Sequence, residues 1–272
     1  MLNSSLILFS EANIEHQKRV LVLIPSRFAS TRFPGKPLAK ILNKSMVEWV
    51  FQNCAKAENL DQQTAPKFET YIVTDSDEIE KEVKSFGGRV LRVDDDVVSG
   101  TERVYLAWER HLKDKNFDLI INVQGDEPLM DEKDLLEIAN YHLNSDFDLV
   151  TLVHPRKDRE GLNDPNKVKA LWVEKTGQCL YFSRSPIPYE RENSSLKEWF
   201  LHVGVYSFRP DSLTKFFNSE ASPYEKIECL EQLRALENQM TIGAVKTKKQ
   251  FIGVDAPEDI GKLEDLFRRN HE

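Results

Sequence analysis

The sequence predicts an α/β fold, doubly wound around a mostly parallel sheet, with a smaller mixed α/β subdomain. Three observations carry that prediction. Apolar runs of strand length occur along the chain, and helix-length segments alternate with them from Val20 to about residue 150. After that point strand-like runs follow one another with fewer helices between. Alternation of the first kind builds parallel βαβ units, and the later rhythm adds strands without crossovers.

Val20-Leu21-Val22-Leu23-Ile24 is continuous in branched apolar residues, as a strand covered on both faces requires. A polar loop with Pro and Gly runs from Pro25 to Leu38, and 45–58 reads as a helix. A strand over 69–73 precedes a helix over 76–86 with Ser76 as its cap, broken by Gly87-Gly88. A short strand over 89–93, a helix over 101–112, a second buried strand over 118–123 and a helix over 131–143 follow. Strands are expected at 148–153, 167–173, 178–183, 202–208 and 241–245. One amphipathic helix is expected over 222–237, with Ile227, Leu230 and Leu233 as its stripe, and another over 256–269.

The first 18 residues read as a loose extension and 19–272 as a single domain. In that domain 19–150 is expected to bind nucleotide, and 151–272 to bind the second substrate and build a dimer interface.

The balance of charge narrows the function. A net charge of −8 and a pI near 5.4 argue against a broad nucleic-acid or anionic-membrane surface, while leaving room for a local cationic pocket. Cys54, Cys179 and Cys229 lie far apart, so neither a metal-ligand spacing nor a disulfide framework is expected, and the setting is cytoplasmic. No apolar run approaches the roughly 20 residues of a membrane span, and no signal peptide is read at the start.

The most informative stretch is Ile24 to Leu38, IPSRFASTRFPGKPL. It leaves the carboxyl end of the first buried strand, where open α/β sheets bind ligands. It carries Arg27, Arg32 and Lys36 with hydroxyls at Ser30 and Thr31. Arginine forks phosphate, lysine supplies a compact charge, and small residues let backbone approach an anion. On the residues alone the loop fits a phosphate cradle or a solvated basic loop equally. Neither G-x-G-x-x-G nor a Walker-A loop occurs.

Two carboxylates fit beside it. Asp126 in Gln124-Gly125-Asp126-Glu127-Pro128 ends the strand over 118–123, and Asp255 lies in Gly253-Val254-Asp255-Ala256-Pro257. Together they would make a hard oxygen site suited to Mg²⁺; Asp255 also suits a helix N-cap. Over 201–208, alternation puts His202, Gly204 and Tyr206 on one face. Glu231 and Arg234 flank the apolar stripe of the expected 222–237 helix. Asp94-Asp95-Asp96 reads as an exposed loop.

These segments together resemble the CMP-Kdo synthetases, the 3-deoxy-manno-octulosonate cytidylyltransferases. The similarity runs over about residues 20–265. It rests on the R-x-x-S-x-R-x-P-G-K-P-L loop, Ser99-Gly100-Thr101-Glu102-Arg103, Q-G-D-E-P, Y-F-S-R-x-x-I-P at 181–188, H-x-G-x-Y, L-E-Q-L-R and V-D-x-P-E-D. The resemblance implies a nucleotide-diphospho-sugar transferase-like, Rossmann-like fold. It implies that Arg27 and Lys36 hold the triphosphate of CTP, with Ser30, Arg32, Ser99 and Arg103 beside them. Asp126 and Asp255 would ligate Mg²⁺, and Gln124, Arg184, His202, Tyr206, Glu231 and Gln232 would line the sugar-acid site. It implies a homodimer and the reaction of CTP with a 3-deoxy-2-ulosonic acid to give a CMP-sugar and pyrophosphate. No side chain stands out as a general base.

One departure bears on the sugar. His-Gln usually precedes Ser-Gly-Thr in that family, and here Val97-Val98 does. Two polar side chains become apolar beside three aspartates, which opens an 8-amino analogue of Kdo as an alternative substrate. A glycosyltransferase or a non-catalytic nucleotide-binding module on this fold are the remaining alternatives.

Overall fold

The structure, a computed structural model, describes residues 17–28, 33–61, 63–191, 197–251, 253–254 and 256–271. Ser30, Thr31, Arg32, Asp255 and most of the expected extension lie outside the described residues.

The strands are β1 (Arg19–Pro25), β2 (Lys40–Ile41), β3 (Lys44–Ser45), β4 (Lys67–Thr74), β5 (Val90–Arg92), β6 (Leu119–Asn122), β7 (Leu149–Arg156), β8 (Lys169–Val173), β9 (Gln178–Ser183), β10 (Trp199–Phe208) and β11 (Ile242–Lys246). The helices are α1 (Met46–Ala55), α2 (Asp77–Ser85), α3 (Gly100–His111), α4 (Glu132–Leu143), α5 (Arg159–Asn163), α6 (Pro210–Asn218), α7 (Pro223–Glu228), α8 (Gln232–Glu237) and α9 (Asp259–His271).

Apart from the small β2–β3 hairpin, the strands form one sheet in the order β5-β4-β1-β6-β10-β7-β11-β9-β8. The first four run parallel. The expectation of a mostly parallel sheet stops there. β10 runs antiparallel to both β6 and β7, β11 is parallel to β7, and β8 and β9 form an antiparallel pair. The sheet is therefore mixed, because strands joined without helical crossovers must reverse direction. β8 also pairs with the start of β10, through Phe200 with Ala170 and Leu201 with Lys169.

The alternation along β1 explains the layers. Val20, Val22 and Ile24 face a core closed by α1, α2, α4 and α9, while Leu21 and Leu23 face one closed by α3, α6 and α8. The chain leaves β1 toward β4 on the first face and reaches β6 from α3 on the second. The order therefore reverses between β1 and β6, and a crevice opens there at their carboxyl ends.

One predicted element divides. The 222–237 segment is two short helices, because Cys229 takes a left-handed conformation (φ 51°) between α7 and α8. Ser222 caps α7 in a reciprocal box with Glu225. Ile227 falls outside the core at 77% exposure, while Leu230 and Leu233 are buried. The break turns the α8 side chains inward, as described next.

Candidate active site

Two loops meet at the β1–β6 crevice. A Cβ added to Gly125 would stand 2.7 Å from Ser26 Oγ and 2.9 Å from the Pro25 carbonyl, so only glycine lets the loop after β6 cross the end of β1 this closely. The N-terminus of α3 closes the third side. Gly100 packs on Pro25 and beside Gln124, and Ser99 caps the helix by accepting from the Glu102 amide. The positive end of a twelve-residue helix therefore faces the crevice.

Lys36, near the end of the 25–38 loop, reaches into this space. Its Nζ donates to Asp126 Oδ2 at 2.5 Å and to the Val254 carbonyl at 2.7 Å. Both side chains of the pair are partly screened from water, at 17% and 32% exposure. The Val254 amide in turn points to the Asp126 carbonyl at 3.4 Å. The backbone just before Asp255 is thus held against Asp126, two expected metal ligands on segments far apart in sequence. Among the described residues no three His, Cys, Asp or Glu side chains converge as a cation site. Asp126 Oδ2 and the Val254 carbonyl are instead both engaged by the Lys36 ammonium. Arg27 is exposed at the mouth of the crevice.

Behind this lies a polar relay in which the expected Tyr206, Glu231 and Gln232 meet Asn122 and Thr101, which the sequence reading did not single out. Asn122 Nδ2 donates to Thr101 Oγ1 at 3.0 Å, and Thr101 donates to Glu231 Oε1 at 2.7 Å. Tyr206 donates to Gln232 Oε1 at 3.0 Å. Three buried atoms of this group, Asn122 Oδ1, Glu231 Oε2 and Gln232 Nε2, have no hydrogen-bond partner among the described residues. An unsatisfied buried polar atom costs about 1–3 kcal/mol, so each of these calls for a further partner. The signal in sequence was Asn122, a lone polar residue inside an apolar strand.

Burial, ahead of all other causes, pushes the Glu231 carboxyl upward and the Tyr206 phenol well above its ordinary range. The His202 ring packs edge-on to Phe182 and lies 5.5 Å from that of Tyr206, and burial drives its pKa down to about 3. It is a neutral imidazole. Its Nε2 lies 3.0 Å from the Thr151 hydroxyl, which is also within hydrogen-bond distance of the Val203 and Val205 carbonyls. A bulge shifts β10 against β7 between Val203 and Tyr206, yet leaves His202 and Tyr206 on the same side. The Cβ of a residue at 204 would lie 3.7 Å from Gln124, which ties this strand to the crevice.

Other expected site residues are already engaged. Arg103 is buried, with its guanidinium on Asp75 Oδ2 at 2.7 Å and on the Val93 carbonyl. Arg184 donates to three backbone carbonyls, of Glu228, Pro165 and Cys229, instead of presenting an open fork. Arg234 is clamped by Glu225 at 2.6 and 2.8 Å. Asp94 pairs with Arg92 and Asp95 with Arg110, and Val98 is 84% exposed.

A family model described as cytidylyltransferase matches residues 21–242. A 3-deoxy-manno-octulosonate cytidylyltransferase of Rickettsia prowazekii is 42% identical over 243 residues, covering 89% of this chain and 93% of that protein. One of Cytophaga hutchinsonii is 39% identical over 247 residues, covering 89% and 94%. The chain belongs to the 3-deoxy-manno-octulosonate cytidylyltransferase family. A solved CMP:2-keto-3-deoxy-manno-octonic acid synthetase complexed with CTP superposes with a TM-score of 0.82 at 31% identity, covering 93% of this chain and all of that one. A cytidylyltransferase of Leptospira borgpetersenii, at 17% identity and a TM-score of 0.57, shares the fold.

Proposed function

We propose that this chain activates Kdo with CTP, giving CMP-Kdo and pyrophosphate for lipopolysaccharide synthesis in the cytoplasm. The observation that carries this reading is the juxtaposition of two sites. A cationic loop and a helix N-terminus flank Asp126 at the sheet's carboxyl edge, and β6, which leads to Asp126, ends in Asn122, hydrogen-bonded through Thr101 to Glu231.

The nucleotide half is read as follows. Lys36 has three N–H donors and spends two on Asp126 and Val254, which leaves one direction for a phosphate oxygen. Arg27, with Ser30 and Arg32 of the same loop, takes the outer phosphates, and Ser99 at the α3 N-terminus receives further anionic charge. The sugar half is read as the relay. Glu231, Gln232, Gln124 and Asn122 offer acceptors and donors to the hydroxyls of the sugar acid, with His202 and Tyr206 lining the wall. The anomeric hydroxyl then attacks the α-phosphorus in line, the bond to the β-phosphate oxygen breaks, and pyrophosphate departs.

Asp126 and Asp255 would hold Mg²⁺. Bound there, the ion supplies positive charge against the α-phosphate and the leaving pyrophosphate. The names of the relatives favour Kdo over its amino analogue; of the three aspartates, Asp94 and Asp95 pair with arginines and Asp96 is exposed. We read β8, β9 and α7 as the smaller subdomain. Its exposed Leu180, Tyr224 and Ile227 are the apolar surface on which a homodimer would close.

The test is a pyrophosphate-release screen of CTP and UTP against Kdo and its 8-amino analogue, with Mg²⁺ and with EDTA. CTP with Kdo is expected to turn over, and EDTA to abolish it. Asp126→Asn should lose several kcal/mol of transition-state stabilisation while melting cooperatively. Turnover that survives EDTA, or a preference for the amino sugar, would overturn the corresponding part.

A further inference from the structure

The segment that brings Val254 to Lys36 has no regular structure of its own, since β11 ends at Lys246 and α9 begins at Asp259. Among the described residues its direct backbone link to the Asp126 loop is the long 3.4 Å contact from Val254 to Asp126. Something else must fix it. At its start the Thr247 amide donates to the Val153 carbonyl at 2.9 Å. Two residues on, Lys249 Nζ donates to Asp131 Oδ2 at 2.6 Å and Asp134 Oδ2 at 2.8 Å. Phe251 and Val254 are buried in the core beyond it.

The anchor itself is rigid. Asp131 is the N-cap of α4 and accepts from the Lys133 and Asp134 amides through Oδ1, while Asp134 Oδ2 accepts from the Asp131 amide. That reciprocal box ends the loop that starts at Asp126. Lys249 thus bridges both carboxylates of the box, and its ammonium also lies 5.7 Å from the Phe251 ring centroid. The Asp126 loop and the 247–254 segment are tied at both ends. Lys36 joins them at Asp126 and Val254, and Lys249 joins them at Asp131 and Asp134. Asp134 is only 7% exposed and Lys249 30%, so this tie is partly shielded from water and salt.

We propose that Lys249 is a positioning residue for nucleotidyl transfer: through the capping box of α4 it holds the 247–254 segment in register with Asp126 and Lys36. The inference rests on the reading of Asp126 and Lys36 given above. Lys249 touches neither Lys36 nor Asp126, so it acts only through the backbone it anchors. Outer residues that hydrogen-bond a metal ligand directly change metal affinity or activity by about 10–100-fold when removed, and a residue one step further out sits at the lower end of that range.

The experiment compares full-length wild type with Lys249→Met, which keeps the apolar stem, and Lys249→Arg, which keeps the charge. Asp131→Asn is a fourth arm, since asparagine caps a helix as well as aspartate while halving the bridge charge. Amide hydrogen exchange over 247–254 is measured on the metal-free, nucleotide-free proteins, and the Mg²⁺ concentration for half-maximal pyrophosphate release is measured with CTP and Kdo. Lys249→Met should exchange faster over 247–254 and need about tenfold more Mg²⁺, with KM for the sugar acid unchanged. Lys249→Arg should restore both and Asp131→Asn should fall between; if Lys249→Met does not fold, Asp131→Asn carries the comparison. Unchanged exchange together with wild-type Mg²⁺ dependence in Lys249→Met and Asp131→Asn would overturn the proposal. A wild-type protein that makes no CMP-sugar would instead sink the functional reading, and the exchange comparison would still report on the tie.

Discussion

Lys36 joins the phosphate loop, Asp126 and the backbone before Asp255 through one ammonium group. Lys36→Ala should therefore weaken CTP binding by roughly 1.5–3 kcal/mol, the size of a charge-assisted phosphate contact. Isothermal calorimetry checks this; unchanged affinity would remove Lys36 from the nucleotide site. The relay behind it is equally specific. Thr101→Val deletes the hydroxyl between Asn122 and Glu231 at nearly constant volume. It should raise KM for the sugar acid about ten- to hundredfold while leaving CTP affinity near wild type. An unchanged KM would show that the relay does not face the sugar. At this scale the sequence was informative where a residue broke its local pattern. Lys36 and Asp126 stood out on loops at strand ends. Thr101 did not, because its partner Glu231 lies 130 residues away and only folding brings them together. Arg103 and Arg184 look alike in sequence to any phosphate- or carboxylate-binding arginine, and only the structure reveals the carbonyls and carboxylate that occupy them.

The elements decide how closely these residues can approach. β1 and β6 end in loops that touch at Gly125, and the space there is already filled by Ser26 and the Pro25 carbonyl. Gly125→Ala must spread the two loops by a substantial part of an ångström. Misplacement on that scale costs on the order of a hundredfold in rate, so kcat should fall much further than the melting temperature moves. Steady-state kinetics and thermal melts on the same variant decide it, and a variant with wild-type kcat would place the reacting atoms elsewhere. The strands and helices around this junction were legible because burial on both faces imposes unbroken apolar runs. The 222–237 segment was not. Its apolar spacing is compatible with one helix, and nothing local announces that Cys229 turns left-handed. The break places Glu231 and Gln232 at the start of α8, where they meet Thr101 and Tyr206.

For the whole molecule, the first half of the sheet followed from βα alternation, whereas the strand order of the second half depends on pairings between β10, β7 and β8 that no local pattern specifies. The same burial sets the pH response. His142, between Ser207 and the Phe147 carbonyl, has a pKa lowered by burial to about 4, and His202 is lowered to about 3. Both folded values lie below the unfolded one, near 6.5, so the unfolded chain takes up protons first on acidification. Stability from these groups is intact above about pH 6.5 and is lost as pH falls. Between pH 7 and 5 His142 alone accounts for about 2 kcal/mol. Glu231 and Asp134, raised chiefly by burial, act in the opposite sense, Asp134 up to about pH 6. Denaturant melts should show a shallower slope over pH 5–7 in His142→Asn than in wild type, whatever its absolute stability; equal slopes would mean that His142 does not titrate as described. The crevice between β1 and β6 is proposed to join a cytidylyl group to Kdo. The most direct test is ³¹P NMR of the purified chain with CTP, Kdo and Mg²⁺. The predicted result is loss of the CTP triphosphate signals with equal growth of a CMP-Kdo phosphodiester and pyrophosphate. Intact CTP after prolonged incubation, or release of phosphate without the phosphodiester, would contradict it.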